Sequence, residues 1–131
     1  MNIHVSYANI YVSDLGRAVD FYHGLIGLPI ILRADNFSYA RLDAGPIYIG
    51  LAAVDRDAEN FSELIGRHTG IGFAVPDIDV AYKELSAKGV HFTMVPSDQH
   101  WGGRLALFAD PDGNVFYLDR VAEGVSSRKA G

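Results

Sequence analysis

The feature that most restricts the fold of this sequence is an internal repeat with an offset of 63 residues. An apolar segment ends at Val12–Asp14, and a second one ends in the same way at Val75–Asp77. Each is followed by apolar residues at helical spacing, by a glycine and by three more strand-like segments separated by turn residues. Asp14 is the candidate N-cap of the first helix, and the three later strands of the second copy are expected near residues 91–95, 104–109 and 115–120. Each copy of the repeat therefore predicts the order βαβββ.

One helix for every four strands predicts an α+β fold. An all-parallel sheet would need a crossover helix for nearly every strand, and the sequence has too few helices for that. We expect two modules, residues 3–54 and 68–121, to form a cupped and mostly antiparallel sheet with helices on its outer face. They would make one duplicated domain over residues 1–122, followed by a polar C-terminal tail over residues 123–131.

The composition limits the classes of partner. The formal net charge is −5 and no run of Lys and Arg occurs, which argues against nucleic acid as a partner. No apolar segment approaches the roughly 18 residues of a membrane span, and Met1–His4 lacks the features of a signal peptide. The chain has no cysteine, so thiolate chemistry is excluded. We therefore expect a cytoplasmic protein with no nucleic-acid or membrane partner.

Two groups of residues carry a resemblance to a known family. The first group comprises Val12–Leu15, Ala18, Phe21-Tyr22, Leu25 and Gly27-Leu28, and the second comprises Trp101–Arg104, Phe108 and Asp110–Asn114. At these spacings the chain resembles the vicinal oxygen chelate superfamily, which includes glyoxalase I, bleomycin-resistance proteins, fosfomycin-resistance enzymes and extradiol dioxygenases. The resemblance covers about residues 3–121. It implies two βαβββ modules around a half-barrel cavity, often in a homodimer.

The resemblance also indicates where a metal would bind. Metal-using members take His, Glu or Gln ligands from four strand positions that face the cavity. Here those positions hold Tyr7, Gly70, Tyr117 and either Gly50 or Tyr48. Glycine has no donor side chain, and divalent metals prefer carboxylate or neutral imidazole over a protonated phenol. We therefore expect no metal and no other cofactor.

Strand alternation indicates which side chains face the cavity. If Ile10 and Val12 meet the helices, their neighbours along the strand must face the other way. The candidate ligand-binding residues are Tyr7, Asn9, Tyr39, Arg41, Tyr48, His100, Trp101, Leu105 and Tyr117. Aromatic rings offer flat apolar area, and phenols add hydrogen-bonding groups. Tyrosines also suit ordinary half-buried strands, Trp101 also suits a structural anchor of its loop, and Arg41 and Arg104 suit either a ligand carboxylate or an aspartate at the rim.

These observations favour a small-molecule-binding protein of the bleomycin-resistance type. It would sequester a planar or aromatic organic ligand in a tyrosine-rich cavity without metal, as a homodimer, and so serve antibiotic resistance. One alternative is a metal-independent lyase or isomerase acting on a small metabolite, with a tyrosine or His100 as general acid or base. Another is a metal enzyme with unusual ligands such as Glu63 or His68. The sequence assigns no catalytic residue.

Overall fold

The computed structural model describes residues 1–120, and its eight strands form two mixed sheets of four strands each. The chain divides into two compact units. Within the described residues, unit 1 contains Met1–Arg67 together with Asp110–Asn114, and unit 2 contains His68–Ala109 together with Val115–Arg120. The predicted α+β class is confirmed. The polar tail predicted over residues 123–131 lies outside the described residues.

Unit 1 contains the first βαβββ module. Its elements are β1 (Tyr7–Val12), α1 (Leu15–Val19), a π-helical segment (Asp20–Leu25), β2 (Ile30–Ala34), a 3₁₀ turn (Asp35–Phe37), β3 (Tyr39–Asp43), β4 (Tyr48–Ala53) and the short helix α2 (Phe61–Leu64). The strand order in the sheet is β1-β4-β3-β2. Strands β1 and β4 run parallel, whereas the other two pairs are antiparallel.

The first helix begins as predicted and changes character halfway. The Asp14 carboxylate accepts a hydrogen bond of 2.9 Å from the Arg17 amide and so caps the helix. From Asp20 the turns widen, and the Ile26 amide donates to the Phe21 carbonyl across five residues at 3.0 Å. The neighbouring side chains of Phe21 and Tyr22 both lie in the core there.

Unit 2 contains the second module. Its elements are β5 (His68–Val75), α3 (Ile78–Ala87), β6 (His91–Asp98), β7 (Arg104–Ala109) and β8 (Val115–Arg120), with the strand order β5-β8-β7-β6. Asp77 caps α3 by accepting from the amides of Asp79 and Val80. Strand β6 extends beyond the predicted end at Val95, with two shifts of register against β7. It lies at the edge of its sheet, where Pro96 is tolerated.

Burial alternates along most strands of both sheets, whereas the edge strand β2 is exposed or partly exposed throughout. In unit 1, Ile10 and Val12 are buried while the residues between and beside them are exposed or partly exposed. In unit 2, Phe116 and Leu118 are buried and Tyr117 between them is not. The core faces consist of aliphatic and aromatic side chains, chiefly Ala40, Leu42, Ile49 and Leu51 in unit 1 and Ala106, Phe108, Phe116 and Leu118 in unit 2. Within the described residues, no helix is long and apolar enough to cross a membrane.

The turn between β7 and β8 forms a buried polar network inside unit 1. Asp110 and Asn114 are only 5% and 2% exposed. The Tyr22 hydroxyl donates to Asp110 at 2.6 Å, and the Asn114 amide group donates to Asp110 and to the Tyr11 carbonyl, both at 2.9 Å. Burial, together with the charge and hydrogen bonding of Asp110, raises the pKa of Tyr22 far above its ordinary value. Tyr22 therefore remains a donor to the buried carboxylate at any physiological pH.

The Asn114 side chain also accepts hydrogen bonds from the amides of Gly66 and Arg67, at 2.9 and 3.2 Å. We expect Asn114→Ala to lower the free energy of unfolding by about 2–4 kcal/mol, because it leaves several buried polar groups without partners. Urea denaturation measures this value. As a control, Asp35→Ala removes an exposed ion pair with Arg33 and should cost less than about 1 kcal/mol. Equal losses in the two variants would contradict the structural role assigned to the network.

Candidate functional site

The first sheet places a group of polar aromatic residues on the face opposite its core. We call Tyr7, Asn9, Tyr39, Arg41 and Tyr48 the tyrosine face. Tyr7 pairs with Tyr48 across β1 and β4, and Asn9 and Arg41 both lie level with the same residue of β4. Asn9, Tyr39, Arg41 and Tyr48 are each next to a buried residue of their strand, and Tyr7 lies two residues before Asn9 on the same face. The structure therefore brings together five of the nine predicted ligand-binding residues.

The side chains of the tyrosine face form a row across the sheet. The rings of Tyr7 and Tyr48 are stacked, with centroids 5.2 Å apart and planes inclined by 17°. The Arg41 guanidinium lies 4.9 Å from the centroid of Tyr48 and 5.6 Å from that of Tyr39. Its Nε also donates to the Tyr39 hydroxyl at 3.3 Å, which raises the pKa of Arg41 above its ordinary value. These contacts hold a permanent cation on an aromatic surface.

Gly50 lies beneath this row and has no room for a side chain. A Cβ atom added to Gly50 would collide with the side-chain oxygen Oδ1 of Asn9 and would lie 2.6 Å from the Tyr39 hydroxyl. The side chains of Asn9 and Tyr39 thus extend over the glycine. Glycine is required here because the neighbouring strands direct two polar groups into the space above it.

The second sheet carries a cleft with a volume of about 340 Å³. Its lining residues are Gly72, Trp101, Leu105, Tyr117 and Asp119. The strand register explains how four of them meet, because Gly72 pairs with Tyr117 across β5 and β8, and Leu105 pairs with Asp119 across β7 and β8. Because Gly72 has no side chain, it leaves space beside the Tyr117 ring.

Trp101 comes from the turn between β6 and β7. The Gln99 amide donates to the Gly103 carbonyl at 2.7 Å and the Gly102 amide donates to the Gln99 carbonyl at 2.9 Å, which closes the turn. Gly102 has φ +94°, a conformation that favours glycine. His100 does not line the cleft. Its ring packs edge-on against Trp101 with centroids 5.1 Å apart.

Three residues at or near the cleft, Gly72, Asp119 and His68, were absent from the predicted ligand-binding residues. Gly72 and Asp119 line the cleft, and alternation along β8 puts Asp119 on the same face as Tyr117. The His68 ring lies 4.9 Å from the Tyr117 ring, and its Nδ1 accepts a hydrogen bond from the Gly70 amide at 3.2 Å. No pattern in the sequence indicated the contact between His68 and Tyr117.

Arg104, the second candidate for a ligand carboxylate, is already paired. Its guanidinium contacts Asp79 of α3 and Asp98 of β6, each at 2.9 Å. These hydrogen bonds raise the pKa of Arg104 and lower that of Asp79. Arg104 therefore has the role of an ion-pair partner that joins α3 to the sheet of unit 2.

A comparison with known families identifies the chain. A family model described as the Glyoxalase/Bleomycin resistance protein/Dioxygenase superfamily matches residues 4–118. The chain belongs to this superfamily. The resemblance stated from the sequence is thereby confirmed.

Several known proteins are similar to this chain over most of their length. The uncharacterised protein YraH of Bacillus subtilis (strain 168) is 31% identical over 124 residues, which cover 86% of this chain and 94% of YraH. A crystal structure of a superfamily member from Sphaerobacter thermophilus DSM 20745 has a TM-score of 0.77 and 31% identity, covering 92% of this chain and 98% of that one. TnmS3, an antibiotic binding protein from Streptomyces sp. CB03234, has a TM-score of 0.75 and 27% identity, covering 92% and 98%.

The positions at which glyoxalase-superfamily enzymes bind metal do not fit a divalent cation in this chain. The rings of Tyr7 and Tyr48 stack on each other, and Gly50 is covered by Asn9 and Tyr39. Gly70 lies in an irregular part of β5 with φ +73° and offers no donor side chain. Within residues 1–120, no group of three or more His, Asp or Glu side chains, Glu63 and His68 included, is arranged to hold a metal.

We therefore expect the purified protein to contain far less than one metal ion per chain. Divalent metals need several carboxylate or imidazole donors, and the tyrosine face supplies phenols and an amide instead. Elemental analysis of protein made without a metal-binding tag measures the content of zinc, nickel, manganese and iron. About one ion of any of these per chain would contradict the assignment.

Proposed function

We propose that this protein binds and sequesters a planar organic molecule without the help of a metal. The observation that carries the proposal is the cleft of about 340 Å³ in unit 2, in which Trp101 and Tyr117 form walls. This volume lies within the usual range for small-molecule sites, roughly 300–1,000 Å³. The description of TnmS3, a 27% identical neighbour, as an antibiotic binding protein supports the same class of function.

The chemistry of the lining residues agrees with a binding role. The indole of Trp101 is 62% exposed, so its face is free to stack on a flat ligand. Leu105 adds apolar surface, and Gly72 leaves space beside Tyr117. Asp119 supplies one carboxylate at the edge of the cleft, which suits an N–H or O–H group of the ligand.

Ligand binding to the cleft can be followed by the fluorescence of Trp101, the single tryptophan of the chain. We use phenazine-2-carboxamide, a flat neutral tricyclic compound, as the probe. Saturable quenching is expected. Tyr117→Ala should weaken binding by roughly 1–3 kcal/mol because it removes apolar contact area. Phe37→Ala, which removes an aromatic side chain that is 77% exposed in unit 1, serves as the control and should bind like the wild type.

Comparison of Tyr117→Ala with a variant in the core of unit 2 separates an effect on binding from an effect on stability. Phe73 packs against Phe108 and Phe116 in the core, with centroids 5.8 and 5.3 Å apart. Phe73→Ala should therefore cost about 3–5 kcal/mol of unfolding free energy, more than Tyr117→Ala. Equal probe affinity of Tyr117→Ala and the wild type would argue against the cleft as the binding site. Consumption of the probe in place of stoichiometric binding would favour a metal-independent lyase or isomerase.

We also propose that the protein is a homodimer with a two-fold interface, the commonest closed assembly. Strand β2 lies at the edge of its sheet and exposes Ile30, Ile31 and Leu32 by 41%, 57% and 43%. An exposed apolar edge strand of this kind can pair with the same strand of a second copy of the chain and so remove apolar surface from water. Light scattering at micromolar concentration should give twice the chain mass of 14.3 kDa, and a monomeric mass would overturn the proposal.

A further inference from the structure

We propose that the tyrosine face of unit 1 is a recognition surface for a planar aromatic carboxylate, and that Arg41 binds the carboxylate group. The proposal concerns unit 1 alone and goes beyond the cleft of unit 2. It therefore holds or fails independently of the function proposed for that cleft. Three observations support it: the way Arg41 is held, the charge around it and the accessibility of the neighbouring ring.

Aromatic contacts hold the guanidinium of Arg41 in place before any ligand arrives. The strand order places Tyr48 of β4 between Tyr7 of β1 and Arg41 of β3. Arg41 lies over the Tyr48 ring at 4.9 Å, while Tyr39 accepts a hydrogen bond from its Nε. Tyr39 in turn lies close above Gly50 beside Asn9. A guanidinium already fixed in this way loses little conformational freedom when it binds an anion.

Arg41 lacks the carboxylate partner that three other arginines have, and within residues 1–120 it shares this lack with Arg56, Arg67 and Arg120. Arg17, Arg33 and Arg104 each contact an aspartate within 2.9 Å. Arg41 forms no ion pair with any residue in 1–120, although the chain contains 16 acidic residues. Its Nε is occupied by the Tyr39 hydroxyl. The terminal nitrogens of the guanidinium, which form the planar fork that matches a carboxylate, have no acceptor within the described part of the chain.

The neighbouring aromatic surface specifies the remainder of the ligand. Tyr7 forms the outer end of the row and is 50% exposed. Its stacking on Tyr48, at an inclination of 17°, leaves the outer face of Tyr7 and the edges of both rings as apolar area in the same row as the cation. A flat ring that carries a carboxylate complements both features, because the ring meets tyrosine and the charge meets arginine. An aliphatic anion would meet the charge of Arg41 but would have no ring to pack against tyrosine.

The experiment compares two probes that differ only in charge, phenazine-2-carboxylate and phenazine-2-carboxamide. Calorimetry gives the affinities, and the side-chain Nε–H signal of Arg41 in a nitrogen-15 NMR spectrum reports contact at this residue. We expect the wild type to bind the carboxylate about tenfold more tightly or better, the scale of one charge-assisted hydrogen bond. Arg41→Gln should reduce the ratio of the two affinities to about one, and Arg41→Lys should recover only part of it.

Arg56→Gln is the matched control. Arg56 also lies over an aromatic ring, that of Phe61 at 5.7 Å, and its removal changes the net charge by the same amount. This variant should keep the preference for the carboxylate. Retention of the preference by Arg41→Gln, or its equal loss in Arg56→Gln, would overturn the proposal.

Two further results would also overturn the proposal while leaving the cleft of unit 2 as a binding site. The first is equal affinity of the wild type for both probes, with quenching of Trp101 intact. The second is dissociation of the assembly by Arg41→Gln in light scattering, since Arg41 would then contact a second copy of the chain. Binding of neither probe, with Trp101 unquenched, would contradict the recognition surface and the proposed function together.

Discussion

Every strand except the edge strand β2 buries the side chains of one face more deeply than those of the other, and the location of the candidate binding residues on the strands depends on this division. Ile49 and Leu51 of β4 are buried against the core. Tyr48 directly precedes Ile49 in the strand, so its side chain must lie on the opposite face of the sheet. A shift of one residue in register would bury Tyr48 and Arg41 and expose the apolar set. The hydrophobic free energy that stabilises the fold therefore also fixes the tyrosine face and the cleft.

The second constraint is the satisfaction of buried polar groups. Within residues 1–120, every buried side-chain nitrogen and oxygen has a hydrogen-bond partner. Asp110 accepts from Tyr22 and Asn114, and Asp112 accepts from the Ser13 amide at 2.8 Å. These bonds make the segment between β7 and β8 part of unit 1. The five-residue turn Asp110–Asn114 thereby stabilises residues about 90 to 100 positions earlier in the sequence, such as Ser13 and Tyr22.

Local patterns predicted the regular elements well and the side-chain pairing poorly. The predicted bounds of β7 and β8, Arg104–Ala109 and Val115–Arg120, agree with the structure because alternation and turn residues define them. The π-helical segment Asp20–Leu25 was expected to be ordinary helix, since helical periodicity does not distinguish the two. The pairing of Arg104 with Asp79, and the contact of His68 with Tyr117, depend on tertiary packing that no local pattern encodes.

The central claim is that the cleft lined by Trp101, Leu105 and Tyr117 holds a small organic molecule. The most direct measurement is a crystal structure of protein purified from cells without added ligand. The account predicts continuous, flat electron density against the Trp101 indole, with no metal-strength peak beside Tyr117. A well-ordered cleft filled only by separate water molecules, with the same protein failing to bind planar compounds in solution, would contradict it.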